Sequence, residues 1–202
     1  MGHDTYETLR VSQKDAVAYV TIDNPPVNVL SVAVMTDVRR LLTTLAGDAT
    51  VRVIVFDSAD PDFFLAHVDM TATPDALAGL MANLPDGVNV FQAVAEQLRH
   101  QPQVTIVKVA GKARGGGAEF VVAADMAFAA IGKGGLSQVE ALMGIVPGGG
   151  ATQYLTERVG RNRALEIVLG ADLMDAETAE RYGWGQSRPR RPTRRIRRPP
   201  GR

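Results

Sequence analysis

Short runs of β-branched and apolar residues recur along the first two thirds of the chain. Four of them, at 16–22, 51–56, 104–109 and 126–131, have the length and composition of buried strands. Each run is followed within two residues by aspartate or glycine, which strands disfavour. The pattern therefore predicts four strands. Residues 57–69, which include Asp-Pro and Phe-Phe, are predicted as a loop.

Apolar positions with helical spacing lie between and after these strands. Residues 34–45 carry them at intervals of three and four, with Ser31 as the predicted N-cap and Gly47 as the stop. A short helix is predicted to begin at Thr73-Pro74, and another covers 88–98. Strands that alternate with helices favour an α/β domain over an all-β one. Further helical patterns lie at 119–123, 151–159, 162–169 and 175–183.

Two glycine-rich segments each carry one glutamate among apolar neighbours. In 113–119 three glycines precede Glu119, and in 138–148 Glu140 precedes a Pro-Gly turn. Glycines let a ligand approach backbone N–H groups closely, and a helix N-terminus attracts negative charge. Burial raises the pKa of a carboxyl group, which suits proton transfer near neutral pH. The segments therefore predict carbonyl chemistry; the alternative is a tight turn with two solvated acids.

Five segments, in their order along the chain, resemble the crotonase superfamily, also called the enoyl-CoA hydratase/isomerase family. The resemblance runs from about residue 8 to about residue 184. It implies an α/β fold, a spiral of ββα units, with a core domain at 1–184. It also implies a thioester substrate carried on coenzyme A, no separate cofactor, and a homotrimer or a dimer of trimers. The segments are 17–31, 53–58, 64–70, 111–119 and 138–148.

The resemblance assigns roles to individual residues. Glu119 and Glu140 correspond to the two catalytic glutamates of hydratase-type members, and the N–H groups of Val68 and Gly116 correspond to the oxyanion hole. Val139 replaces the usual proline and is expected to loosen the turn that positions Glu140. His67 stands where the family pattern has glycine. The substrate-contact positions are Ala66, His67, Asp69, Gly115, Gly117, Pro147 and Gly148.

The implied activity is that of an enoyl-CoA hydratase-like lyase, which adds water across the double bond of a trans-2-enoyl-CoA thioester. Two alternatives stay open. One is an enoyl-CoA isomerase or another crotonase-type reaction, since some such members keep one or both acids. The other is an inactive fragment of the fold, since the family pattern stops after Trp184.

Composition excludes some kinds of catalytic chemistry and indicates the cellular compartment of the protein. The chain has 202 residues and no cysteine, which excludes disulfides and thiolate catalysis. Its three histidines are scattered without the spacing of a metal site. The first residues lack the pattern of a secretory leader, and no apolar stretch approaches the ~20 residues of a membrane helix. We therefore expect a soluble cytoplasmic protein with no metal and no membrane partner.

The net charge of zero hides an uneven distribution. Residues 185–202 contain eight arginines and no acid, which leaves 14 basic against 22 acidic residues in the rest of the chain. Such a segment lacks the apolar residues to fold, so a disordered tail is predicted. Truncation or a change of reading frame near residue 185 is the favoured hypothesis for its origin. The alternative, a basic arm for nucleic acid, is disfavoured because aromatic residues and a recognition module are missing.

Overall fold

A computed structural model describes residues 5–82 and 84–188. Within these residues the chain forms ten strands, seven α-helices and one single-turn 3₁₀ helix at Glu140–Met143. The strands are β1 Leu9–Lys14, β2 Val17–Ile22, β3 Val53–Ser58, β4 Phe63–Leu65, β5 Val104–Val109, β6 Lys112–Arg114, β7 Met126–Ala130, β8 Gly135–Ser137, β9 Met174–Asp175 and β10 Gln186–Arg188. The helices are α1 Val32–Ala46, α2 Pro74–Met81, α3 Val90–Arg99, α4 Gly116–Ala123, α5 Ala151–Val159, α6 Arg161–Gly170 and α7 Ala176–Tyr182.

The strands are divided between two sheets in a repeating manner. The larger sheet has the order β1-β2-β3-β5-β7-β10, and the smaller one has the order β4-β6-β8-β9. From β3 to α5, the first strand of each pair joins the larger sheet, the second joins the smaller sheet, and a helix follows. The pairs β2–β3, β3–β5 and β5–β7 are parallel. This arrangement confirms the predicted α/β spiral of ββα units.

Helix α4 lies at the centre of the core, and all eight of its residues are buried. Phe120 on this helix contacts two other aromatic rings: its centroid lies 5.3 Å from that of Phe56 and 6.0 Å from that of Phe64. Those two side chains come from β3 and β4, so Phe120 joins both sheets. Full burial of one such side chain stabilises the fold by about 1.5–3 kcal/mol. The helix that carries Glu119 is thereby held by both sheets.

Several element boundaries differ from the sequence prediction. Strand β3 begins at Val53, and α4 begins at Gly116, three residues before the predicted start. Strand β4 lies inside the predicted loop at 57–69. Strand β1 is missing from the prediction because it is an edge strand, paired with β2 alone, so polar residues alternate with its few apolar ones. Short and edge strands carry too little apolar pattern to be recognised.

One more strand, β10, joins the larger sheet after the predicted end of the core domain at residue 184. Strand β10 pairs in parallel with β7, so that Gln186 lies beside Phe128 and Arg188 beside Ala130. The sequence places these residues in a disordered tail from 185 onward, and the pairing corrects that assignment for 186–188. The remainder of the predicted tail, 189–202, lies outside the described residues. Among the described helices, none combines the length and apolarity needed to cross a membrane.

Candidate active site

A pocket of about 590 Å³ opens where the chain after β4, the start of α4 and the 3₁₀ helix meet. Its lining contains eight of the eleven residues that the sequence singles out, although they come from distant parts of the chain. The three others, Ala66, Gly117 and Pro147, do not line it. The eight lining residues are His67, Val68, Asp69, Gly115, Gly116, Glu119, Glu140 and Gly148.

Three consecutive glycines, the N-cap and the first two residues of α4, are each required for a different reason. Gly115 has φ +52°, in the left-handed region that residues with a Cβ seldom adopt. A Cβ on Gly116 would overlap the Cγ2 atom of Val68. A Cβ on Gly117 would overlap the carbonyl oxygen of Leu65 and lie 2.7 Å from its Cβ atom. The glycine run therefore brings the start of α4 into direct contact with the chain that follows β4.

The first turn of α4 presents backbone donors to the pocket. The first hydrogen bond of this helix runs from the N–H of Glu119 to the carbonyl oxygen of Gly115, at 2.9 Å. The N–H of Gly116 precedes that bond and has no acceptor inside the helix. Because Gly116 lines the pocket, its N–H and the positive end of the helix dipole lie beside the space that a ligand would fill.

Val68 presents a second backbone donor. A parallel bridge joins it to Leu30, whose N–H donates to the His67 carbonyl at 2.7 Å and whose carbonyl accepts from the Asp69 N–H at 3.1 Å. This bridge uses the residues on either side of Val68, so the N–H of Val68 points to the opposite edge. Gly116 contacts Val68 on the pocket side. The two donor residues are therefore neighbours.

Glu119 is buried and anchored through one oxygen. Its side chain is 3% exposed, and Oε1 accepts hydrogen bonds from the N–H groups of Gly149 at 2.7 Å and Ala151 at 3.0 Å. Burial raises the pKa of Glu119, and the N–H donors of Ala151 and Gly149 oppose that rise. A Cβ on Gly149 would lie 2.7 Å from Oε2 of Glu119. Gly149 is therefore part of the site, although it is not among the site positions that the sequence predicts.

Glu140 is equally buried but far less anchored. It is 6% exposed, and its Oε2 atom accepts no hydrogen bond from the described residues. Burial raises the pKa of Glu140 to about 7; its own backbone N–H opposes the rise, and the negative charge of Glu119 adds to it. A Cβ on Gly115 would lie 3.0 Å from its Oε1 atom. Glu140 thus reaches the pocket beside the glycine run, with Val139 in place of the expected proline.

The residues that do not line the pocket support its walls. Ala66 is 1% exposed; its N–H donates to the Asn28 carbonyl at 2.7 Å, and its own carbonyl accepts from Nε of Arg114 at 3.2 Å. Gly117 packs against the chain of β4. Pro147 is buried. These contacts fix the backbone around the pocket without placing the three residues on its surface.

His67 and Asp69 line the pocket, and one polar atom of each side chain already has a hydrogen-bond partner within the protein. The Nδ1 atom of His67 lies 2.6 Å from the Val68 carbonyl oxygen. Oδ1 of Asp69 accepts from the N–H of Thr71 at 2.9 Å and from its hydroxyl at 2.7 Å, and these bonds lower the pKa of Asp69. Asp69 therefore shapes the turn after Val68 as well as lining the pocket.

An apolar wall completes the pocket, and the sequence analysis misses it. Leu142 and Val146 are 76% and 73% exposed, which is unusual for such side chains. They belong to two apolar pairs on either side of Gly144, a signal that fits neither a helix nor a strand pattern. Further apolar members of the wall are Met70, Ala72, Leu77, Phe91, Met143 and Ile145.

Two buried carboxyl groups with raised pKa values, set beside backbone donors at a helix N-terminus, define a site for acid–base chemistry on a polarised group. The family model for enoyl-CoA hydratase/isomerase matches residues 12–186. The chain therefore belongs to the enoyl-CoA hydratase/isomerase family, the crotonase superfamily, which is a family of enzymes. In the described part of the chain, no three His, Asp or Glu side chains form a group that could hold a metal ion.

Individual relatives agree with the family match. The chain is 33% identical over 180 residues to the "Probable enoyl-CoA hydratase" of Mycobacterium bovis, covering 89% of this chain and 67% of that protein. It is 30% identical to the human mitochondrial methylglutaconyl-CoA hydratase, covering 77% and 45%. The crystal structure of a "putative enoyl-CoA hydratase" from Streptomyces avermitilis has 66% identity and a TM-score of 0.89, covering 92% and 69%. The chain thus spans about two thirds of the length of the bacterial relatives.

Proposed function

We propose that this chain carries the active site of an enoyl-CoA hydratase, which adds water across the double bond of a trans-2-enoyl-CoA thioester. The observation that carries the proposal is the meeting of Glu119 and Glu140 in one pocket beside the backbone donors. The relatives named as hydratases support the same reaction. The homotrimer or dimer of trimers that the resemblance implies stays a prediction.

The thioester carbonyl would lie between the N–H groups of Gly116 and Val68. Addition of water at Cβ moves negative charge onto the carbonyl oxygen, and two fixed donors stabilise that charge in the transition state. Loss of one such donor typically raises the barrier by about 3–4 kcal/mol. The contact between these two residues and the position of Gly116 at the start of a buried helix support this assignment.

The two glutamates would divide the proton transfers. Backbone donors on Oε1 favour the ionised form of Glu119, so this residue is assigned as the carboxylate that takes a proton from the attacking water. Glu140, with a pKa of about 7 and an unpartnered buried oxygen, holds a proton more readily. The hydroxyl of the water then bonds to Cβ as the carbon–carbon π bond breaks, and Glu140 delivers a proton to Cα. After the reaction Glu119 releases the proton that it took from the water and Glu140 takes up another, both by exchange with solvent, which restores the starting protonation state of each residue.

The reaction is tested with the 202-residue chain and trans-2-butenoyl-CoA, by following the loss of enoyl absorbance. We expect turnover that falls by ~10²–10⁴ in Glu119→Gln and in Glu140→Gln. Glu177→Gln is the matched control, because Glu177 also lies in the first turn of a helix but is exposed. Equal loss in the control would contradict the assignment.

A second assay separates hydration from isomerisation. A trans-3-enoyl-CoA substrate gains enoyl absorbance if the double bond migrates to the 2-position. Turnover in this assay without hydration would replace the proposed reaction by isomerisation in the same pocket. Absence of both reactions, together with no rise in the melting temperature on adding an acyl-CoA, would reject an acyl-CoA enzyme and favour the inactive fragment.

A further inference from the structure

We propose that Tyr154 is a positioning residue: through Glu96 it holds the start of α5 on α3, and so fixes the two N–H donors that bind Glu119. The effect of Tyr154 on catalysis rests on the proposed function. Tyr154 does not line the pocket. Its effect would therefore pass through the backbone of the turn at 148–151.

The ring of Tyr154 covers the turn that binds Glu119. Gly149 and Ala151, the two donors to Oε1, flank Gly150, which has φ +111° and caps the N-terminus of α5. The N–H of Tyr154 donates to the Gly150 carbonyl at 2.9 Å. A Cβ on Gly150 would overlap the Tyr154 ring, lying 2.8 Å from its Cζ atom. Movement of this ring would therefore move the peptides that donate to Glu119.

The hydroxyl of Tyr154 is tied to α3. It donates to Oε1 of Glu96, and the guanidinium carbon of Arg99 lies 4.1 Å from the centroid of the ring. Arg99 also lies 3.7 Å from Glu96 and 3.6 Å from Glu157, measured between the nitrogen and oxygen atoms. A hydrogen bond to a carboxylate is among the stronger ones in proteins. The ring is thus fixed from above by Arg99 and at its tip by Glu96.

The other end of the same turn is tied to the start of α3. Nδ2 of Asn89 donates to the Gly148 carbonyl at 2.9 Å, while Oδ1 of Asn89 caps the helix by accepting from Phe91 and Gln92. Helix α3 therefore holds the turn at both ends, through Asn89 and through Tyr154. Two such attachments restrict the donors of Glu119 to one position.

The chain offers a matched control for Tyr154. The hydroxyl of Tyr182 donates to Oε1 of Glu166 at 2.8 Å, and the guanidinium carbon of Arg163 lies 4.7 Å from its ring centroid. The same tyrosine–glutamate–arginine arrangement thus joins α6 to α7, and Tyr182 does not line the pocket. A purely structural effect of losing a tyrosine hydroxyl should be similar at both sites.

The first test compares Tyr154→Phe with Tyr182→Phe in the hydration assay. Phenylalanine keeps the ring over Gly150 and removes the hydroxyl. We expect kcat to fall roughly ten- to a hundred-fold in Tyr154→Phe, because small displacements of a catalytic group are costly, while KM stays within about twofold. Tyr182→Phe should retain the wild-type kcat. Wild-type kcat in Tyr154→Phe, or an equal fall in both variants, would overturn the proposal.

The second test changes the acceptor. Glu96→Gln keeps a side-chain oxygen that can accept from the Tyr154 hydroxyl, whereas Glu96→Leu removes it. We expect Glu96→Leu to reproduce the kcat of Tyr154→Phe and Glu96→Gln to retain most of the wild-type rate. Equal rates in the two variants would contradict a role for this hydrogen bond.

A third measurement does not depend on turnover. Carbon-13 NMR of the glutamate carboxyls follows the titration of Glu119, with Glu119→Gln to assign its signal. Because N–H donors favour the ionised form, we expect the pKa of Glu119 to rise in Tyr154→Phe and to stay unchanged in Tyr182→Phe. The other charged groups of the pocket are the same in both variants; they are His67, Asp69, Arg114 and Glu140.

These readouts separate the two proposals. A wild-type chain that binds acyl-CoA but performs no hydration would reject the proposed reaction, and the NMR comparison would still decide the positioning role. An unchanged titration of Glu119 in Tyr154→Phe would reject the positioning role, whatever the reaction.

Discussion

The two glycine–glutamate segments look alike in sequence but are built differently in the fold. Glu119 lies on a fully buried α-helix, and its Oε1 atom accepts two backbone hydrogen bonds. Glu140 lies on a single 3₁₀ turn whose next residues, Leu142 and Met143, are exposed. One carboxyl group is fixed by its surroundings, and the other is buried without comparable partners. The contrast suits a pair in which one member keeps its charge and the other exchanges a proton.

The largest expected effect concerns the anchored carboxylate. Glu119→Gln should lower kcat by ~10²–10⁴ because an amide cannot accept the proton of the attacking water. Acyl-CoA should still raise the melting temperature of the variant, since the apolar wall and the backbone donors remain. Unchanged kcat would remove Glu119 from the reaction; loss of binding together with activity would indicate a damaged pocket.

The second-largest expected effect concerns the turn that donates hydrogen bonds to Glu119. Gly149→Ala places a Cβ 2.7 Å from Oε2 of Glu119, so the carboxylate must shift, and we expect kcat to fall by roughly 10². Gly79→Ala is the control, because Gly79 is exposed, does not line the pocket, and a Cβ there meets no atom within 4 Å. Steady-state kinetics of the two variants measures the difference. Similar kcat values would show that the position of Glu119 tolerates movement of the turn.

Packing should also differ between the two segments. Gly117→Ala forces a Cβ into the backbone of Leu65, and we expect a loss of about 1–3 kcal/mol in the free energy of unfolding. Gly144→Ala meets no atom within 4 Å, so its cost comes from φ +68° alone, about 1–2 kcal/mol. Denaturant unfolding compares them. A larger loss in Gly144→Ala would contradict the view that the first segment is the more tightly packed.

The last expected effect, similar in size to the packing effects, is a dependence of stability on pH. The pKa of Glu140 is raised from 4.5 to about 7 in the folded state. Between these values the folded state binds more protons than the unfolded state, so stability falls as pH rises, and the full penalty is present above pH 7. Glu140→Gln should therefore gain about 1–3 kcal/mol relative to wild type on going from pH 4 to pH 8. Unfolding curves at the two pH values measure this, and a constant difference between the proteins would contradict the raised pKa.

The sequence predicts the long elements well because their signals are local. Ser31 caps α1, as its position predicts, because its side-chain oxygen accepts a hydrogen bond from the Val34 N–H, and Gly47 ends the helix. The apolar run after Glu119 becomes a buried helix. Short strands such as β4, β6 and β8 are missed because three residues carry too little pattern, and their pairing joins segments far apart in sequence.

In the candidate site, too, the sequence predicts some features and misses others. Glu119, Glu140 and the glycine run are recognisable in the sequence because residue type and order carry their meaning. The donors from Gly149 and Ala151, and the attachment through Tyr154 and Glu96, have no such signal. Backbone N–H groups look alike in any sequence, and the partner of a tyrosine hydroxyl depends on how two helices pack.

Residue order was therefore enough to indicate the family, the alternation of strands and helices, and the two acids beside their glycines. The tertiary structure decided how unequal those acids are. Burial and hydrogen bonding set the pKa of a carboxyl group, and both depend on residues brought together from distant parts of the chain. The turn at 148–151 donates two hydrogen bonds to Glu119, whereas Oε2 of Glu140 accepts none from the described residues. Residue order alone does not contain this difference in packing.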